Sequence, residues 1–263
     1  MNLEELYSIC DDFLITEANI THTGELRDFK CGEILRSELL KDFPKAKYIQ
    51  MDMRSARIPW DNTSESSHKN EQEIRNGWRK YYPDVRSRDI VISTDADEVL
   101  YGKPIAHIVK LMNLWHGKPM SLTLTLNQFL YFINQNWEDC DFYGPVICHA
   151  GYYLNQSEPQ WRYGGRRIKR PLGCHFSWVM TADEMLEKIL TYSHRVENEK
   201  VAKIDILIDA RESGKYLFGD DMNIRLRTIT SYTDGIFPTL IRRRQIELRD
   251  ELICSPRTFW QDE

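Results

Sequence analysis

The sequence predicts an α/β fold in one domain, a mixed sheet flanked by helices. Three observations carry that prediction. Short apolar or β-branched runs alternate with helix-like segments as far as residue 115, the pattern of a mostly parallel sheet with helices packed on it. From residue 121 the pattern changes to period-two alternation and long aromatic runs, which suits a mixed sheet or an inserted antiparallel ribbon. Between them, "DIVIST" (89–94) runs as a continuous strand into three acids, Asp95, Asp97 and Glu98.

The elements follow in order. "DFLITEA" (12–18) reads as a strand bounded by acids, and "AKYIQMDM" (46–53) as a second that ends on Asp52. "CGEILRSELLKDFP" between them reads as a helix that stops before Pro44. The polar stretch "PWDNTSESSHKN" (59–70) reads as a loop, and "EQEIRNGWRKYY" (71–82) as a helix with Ile74, Trp78 and Tyr81 or Tyr82 on one face. "GKPIAHIVKLMNLWHGKP" (102–119) reads as a helix, "SLTLTLNQFLYFINQ" (121–135) and "PVICHAGYYL" (145–154) as strands. "WRYGGRRIKRP" (161–171) reads as a solvated basic loop whose Gly-Gly could hinge over a diphosphate. "TADEMLEKILTYSHR" (181–195) has Thr181 placed to cap a helix with Glu184 three residues on, and Met185, Ile189 and Tyr192 on one face. "IRRRQ" (241–245) reads as an exposed helix face, and Phe259 and Trp260 as anchors of the tail.

Composition narrows the function. The net charge of −5 lacks the basic excess of a nucleic-acid binder, so no nucleic-acid partner is expected. The six cysteines show neither a CxxC pair nor a disulfide spacing, which suits a reduced compartment. No apolar run approaches the ~20 residues of a membrane span, and the acidic N-terminus is unlike a signal peptide. Stable membrane insertion is not expected, and a cytoplasmic location is.

Ligands of open α/β sheets bind beyond the carboxyl ends of the strands, which is where the acids after "DIVIST" stand. Asp95 and Asp97, two apart at a turn, can approach one hard cation from the same side. Carboxylates and water are the ligands that Mg²⁺ and Mn²⁺ favour. A cation held there would bridge a substrate diphosphate and neutralise charge on the leaving group. The plainer alternative is a helix cap or a solvated loop, since a bare DxD occurs by chance in many sequences.

Five segments together resemble glycosyltransferase family 17. "IVISTDADEVL" is similar to its "DADEIP"-type segment, "FLITEANITHTGE" (13–25) to its "F-x-I-x-E-x-x-x-T-x-x-G" opening, and "EQEIRNG" (71–77) to its Gln-Arg-Asn helix. "GCHFSW" (173–178) resembles its "GWHCSW" segment, and "KILTYSHRVEN" (188–198) a Ser-His stretch of microbial members. The likeness is collinear from about residue 10 to residue 225.

The resemblance implies a GT-A like, Rossmann-like fold, a divalent cation (Mn²⁺ or Mg²⁺), a nucleotide-sugar donor (UDP-GlcNAc) and inverting transfer to a glycan or polysaccharide acceptor, in the manner of a β-1,4-N-acetylglucosaminyltransferase. It divides the one domain into a nucleotide-sugar-binding half (1–115) and an acceptor-side half (116–263). Asp95 and Asp97 become metal and diphosphate ligands with His175 as a third metal ligand, and Glu98 lines the same turn. Glu17, Asn19 and Arg75 become donor contacts, Arg75 pairing with phosphate or holding Glu17. The general base of an inverting transfer is sought among Asp220, Asp221 and Glu98, with Asp183 better read as a first-turn helix acid. Trp137, Tyr143, Tyr152, Tyr153 and Trp161 are candidates for stacking on sugars or for the core.

Family members begin with a further strand and helix resembling "CFxFFNELDLLEIRL". Here "MNLEELYSIC" resembles only the end of that helix, so a microbial or viral member without the first strand is expected. Two alternatives stay open: a degenerate, non-catalytic carbohydrate-binding protein of the same fold, and a metal-dependent phosphohydrolase.

Overall fold

The computed structural model describes residues 1–32, 40–154, 164–219, 224–243 and 247–260. The strands are β1 (Phe13–Ala18), β2 (Ala46–Met51), β3 (Ile90–Ser93), β4 (Glu98–Leu100), β5 (Ser121–Leu130), β6 (Gln135–His149), β7 (Arg166–Ser177) and β8 (Leu226–Thr228). The principal helices are α1 (Asn2–Leu6), α2 (Ser64–Asn76), α3 (Gly102–Asn113), α4 (Ala150–Leu154), α5 (Ala182–Thr191) and α6 (Ile204–Ser213). This mixed α/β architecture is consistent with the Rossmann-like GT-A class. The chain packs as two compact units built from discontinuous segments, one of residues 1–9, 85–181 and 223–263, the other of 10–84 and 182–222.

The first unit holds a mixed sheet in the order β3-β6-β5-β7-β4, with β8 also paired to β6. Among the described strands only β5 and β7 run parallel in it; β3 on β6, β4 on β7, β5 on β6 and β6 on β8 are antiparallel. The expectation of a mostly parallel sheet around "DIVIST" is therefore corrected. An unbroken apolar run reads like a parallel strand buried on both faces, but β3 is only four residues long and half-buried.

The strand order also fixes the curvature. β3 and β4 are consecutive in the chain yet end opposite sides of the five-strand path. Four inter-strand steps put those edges about 19 Å apart in a flat sheet. The five Cα steps from Ser93 to Glu98 reach at most about 18 Å, and a turn in which the Glu98 amide donates to the Asp95 carbonyl at 3.1 Å shortens them further. The sheet must curl until its edges approach, and register shifts in the β5–β6 and β5–β7 pairings supply bends. The acidic turn spans the closing gap.

One face is sealed by Val99, Phe129, Cys174 and Phe176 against Ile229, Tyr232, Phe237, Ile241, Ile253 and Phe259. The tail is thus tied down by Phe259, with Trp260 packed beside it. "WRYGGRRIKRP" is corrected in part: residues from Arg166 onward form β7 with Arg and Lys turned outward, while 161–163 lie outside the described residues. β6 begins ten residues before the expected "PVICH" strand, and "AGYYL" becomes α4 instead of continuing it.

In the second unit β1 and β2 pair in parallel from Phe13↔Ala46 to Ala18↔Met51. Ala18, Ile20, Met51 and Met53 form its core with Ile49 and Ile74. α2 starts at Ser64, inside the segment expected to be a loop, because the Thr63 side chain accepts from the Ser66 amide and Asp61 accepts from the Ser66 hydroxyl at 2.7 Å. α5 occupies its expected place, and Asp183 stands in its first turn. Of the helix expected before Pro44, only Leu40–Asp42 and its start lie within the described residues.

Candidate functional site

The acids after "DIVIST" stand on the turn between β3 and β4 and have different surroundings. Glu98 is wholly buried, and its carboxylate accepts the Asp95 amide at 2.7 Å. That is a strut inside the turn. A general base must reach an acceptor hydroxyl, and Glu98 has no accessible surface from which to do so. Asp95 and Asp97 are half-buried. The Asp97 carbonyl accepts the Phe176 amide at 2.8 Å, which locks the turn to β7.

His175 lies opposite Glu98 in the β4–β7 register and beside Gln128 in the β5–β7 register. Its Nδ1 is 2.8 Å from Gln128 Oε1, and its ring lies on Phe142 at 3.7 Å between centroids. With the Gln128 amide assigned this way round, Nδ1 carries the proton and Nε2 turns its lone pair outward. That Nε2 is 3.7 Å from Asp97 Oδ2. Two acceptors facing each other at that separation suit a cation between them.

Among the described residues no three or more His, Cys, Asp and Glu side chains are grouped to hold a metal ion. Asp95 does not complete a three-ligand cluster with Asp97 and His175. The pair still fits Mg²⁺ or Mn²⁺, which commonly take one or two protein ligands and complete their shells with water and phosphate oxygens.

Gly173 explains one part of the "GCHFSW" segment. A Cβ there would lie 2.2 Å from the Val99 carbonyl oxygen, so only glycine lets β7 approach β4 this closely. The N-terminal helix supports β4 from its other edge. Asn2 donates to the Glu98 carbonyl at 2.5 Å and accepts the Leu100 amide at 2.9 Å, as a neighbouring strand would.

In the second unit Glu17 is buried at the end of β1. Its carboxylate accepts the amides of Lys30 at 2.8 Å and Cys31 at 3.0 Å, and the Tyr48 hydroxyl. Burial pushes its pKa up, but these hydrogen bonds outweigh burial and hold it below the ordinary glutamate value. Glu17 thereby staples the 26–31 segment to the strand. Arg75 pairs with Glu71, one turn earlier on α2, at 2.8 Å.

Asn19 follows β1, donates to Asp52 at 3.0 Å and accepts the Met53 amide at 2.8 Å. It lines a cavity of about 380 Å³ with Leu26, Arg27, Asp28, Phe29 and Arg54. The cavity lies beyond the carboxyl ends of β1 and β2, the expected place for a ligand in parallel strands. Arg27 and Arg54 were not singled out in the sequence; their only signal is a basic residue shortly after a strand end. Gly24, in the opening motif, has φ +78°, and a Cβ there would lie 2.2 Å from the Ile58 carbonyl oxygen.

The remaining candidates divide. Asp220, Asp221 and Trp161 lie outside the described residues. Trp137 and Tyr153 are buried, Tyr143 is exposed with Arg167 over its ring at 4.3 Å, and the Tyr152 hydroxyl donates to the Gly164 carbonyl at 2.8 Å.

The family model for Glycosyltransferase family 17 matches residues 1–226. The chain belongs to glycosyltransferase family 17. No curated protein and no solved structure matches it. Family membership makes the chain a glycosyltransferase and implies that it binds a nucleotide sugar and an acceptor. No helix among the described residues is long and apolar enough to cross a membrane.

Proposed function

We propose that this family 17 member is an inverting, metal-dependent transferase that moves N-acetylglucosamine from UDP-GlcNAc to the hydroxyl of a glycan or polysaccharide, as a β-1,4-N-acetylglucosaminyltransferase does. The observation that carries this reading is the approach of the Asp97 carboxylate, on the β3–β4 turn, to His175 Nε2 on β7, at 3.7 Å. Asp97 and His175 would hold Mn²⁺ or Mg²⁺, with Asp95 reaching it through water. The ion supplies charge stabilisation to the departing diphosphate.

The chain's own groups do the positioning. Gln128 and Phe142 fix the imidazole, the Glu98 carboxylate holds the Asp95 amide, and the Phe176 amide holds the Asp97 carbonyl. Each bond removes a freedom that the turn would otherwise lose on binding. Asn19 enters as a donor contact because it lines the β1–β2 cavity, and Glu17 because it holds the 26–31 segment beside it; Arg75, paired with Glu71 on α2, enters through the family motif alone. Asp220 or Asp221 is the general base in this reading, since Glu98 is enclosed.

The test is turnover. UDP-GlcNAc with Mn²⁺ and a mannose- or GlcNAc-terminated acceptor should release UDP at an acceptor-dependent rate, form a β-linked product and stop on chelation. Equal release without acceptor, with sugar phosphate as product, would make the chain a phosphohydrolase. A folded chain that binds glycan but never turns over would be the degenerate form.

A further inference from the structure

We propose that the carboxyl-terminal end of α3 is a docking surface for the headgroup layer of an anionic lipid bilayer. Leu111 on the last turn of α3, Leu114 at its C-cap and Trp115 just beyond are 55%, 64% and 50% exposed. Single exposed apolar residues are ordinary on soluble proteins, whereas three large ones within five positions at one helix end point to an interaction site.

The face is built rather than left over. The Trp115 indole N–H donates to the Lys118 carbonyl at 3.0 Å. The Arg88 guanidinium donates to the carbonyls of Trp115 at 3.1 Å and His116 at 3.3 Å. Gly117 lets the indole lie against the backbone, since a Cβ there would be 2.5 Å from Trp115 Cζ2. These contacts hold a tryptophan half in water when it could have folded down. An amphipathic ring fixed at a surface is what the lipid–water interface accommodates best.

Charge selects the partner. The chain as a whole carries −5, yet no acid occurs between Glu98 and Glu138, and Lys110 and Lys118 flank the apolar face, both exposed. Asp89, beside Arg88 in the chain, faces Arg86 at 3.7 Å. A basic rim around an apolar centre on an acidic protein complements an anionic membrane surface, with the apolar side chains entering the headgroup boundary. No spanning helix is required.

The test is co-sedimentation of the full chain with phosphatidylcholine vesicles, with and without phosphatidylglycerol. Binding is expected only with phosphatidylglycerol and should weaken with salt. Lys110→Ala with Lys118→Ala should lower the partition coefficient about 25-fold, roughly fivefold per lysine. Leu114→Ser with Trp115→Ser should lower it at least about tenfold. Circular dichroism of each variant separates lost binding from lost fold. No vesicle binding by the folded wild type, or binding that neither double variant changes, overturns the proposal. So does a wild-type dimer in light scattering that Leu114→Ser with Trp115→Ser disperses, because the face would then join two copies of the chain.

Discussion

Asn2→Ala should destabilise the unit that carries the acidic turn, and the size follows from two hydrogen bonds. β4 ends the strand path, and Asn2 covers its open edge, donating to the Glu98 carbonyl and accepting the Leu100 amide at 2.5 and 2.9 Å. Glu98 and Leu100 are both fully buried. Alanine would strand one buried acceptor and one buried donor, each costing about 1–3 kcal/mol. Water entering behind the shortened side chain recovers some of this, leaving about 3 kcal/mol. At about 2–4 °C per kcal/mol for a chain of this size, Tm should fall by about 6–12 °C. Asn2→Asp keeps the acceptor for Leu100 but sets a carboxylate oxygen against the Glu98 carbonyl, so it should recover only part of the loss. Thermal and urea melts followed by circular dichroism make the measurement. A loss under about 0.5 kcal/mol, the range of an ordinary surface substitution, would refute the strand-surrogate role.

Two further predictions concern single residues. Glu17 has a depressed pKa in the fold, so the native state binds fewer protons than the unfolded chain as pH falls below the ordinary glutamate value of about 4.3. Its contribution is complete above that value and is lost as pH drops through the folded pKa; Glu17→Gln should lower the urea midpoint at neutral pH and flatten its decline on the acid side, and parallel acid limbs would contradict this. Gly173→Ala places a methyl 2.2 Å from the Val99 carbonyl oxygen, so β4 and β7 must separate at a cost of about 2–4 kcal/mol. Manganese-dependent donor binding should weaken with it, and a stability within about 0.5 kcal/mol of wild type would show that the strands tolerate the methyl.

Local signals read well from the sequence, and pairing did not. β1, β2 and α5 stand where their periodicities placed them, because each carries its own apolar face, and α3 and β5 begin where expected but end early, at Asn113 and Leu130. Strand direction in the first unit was hidden, since "DIVIST" is apolar whichever way its partner runs. β7 was obscured because the outward residues of its first half are Arg and Lys, which read as loop text although the second half, through "GCHFSW", is buried. α2 was missed at its start because Ser64, Ser66, Ser67 and Asn70 give its first turns the composition of a loop, and the capping bonds of Thr63 and Asp61 are visible only in three dimensions. The approach of Asp97 and His175 was anticipated through the family motifs rather than from spacing, for nothing in the order of residues tells that β4 lies on β7. Gln128 and Phe142, which fix the imidazole, gave no sequence signal, and neither did Asn2.

The most direct test of the central claim is calorimetric titration of UDP-GlcNAc and of UDP into the full chain, with and without Mn²⁺, repeated with Asp97→Ala. The account predicts binding that requires Mn²⁺ in the wild type and disappears in an Asp97→Ala variant whose circular dichroism is unchanged. Binding of equal strength without the ion, or undiminished by the substitution, would contradict it and remove Asp97 from the site.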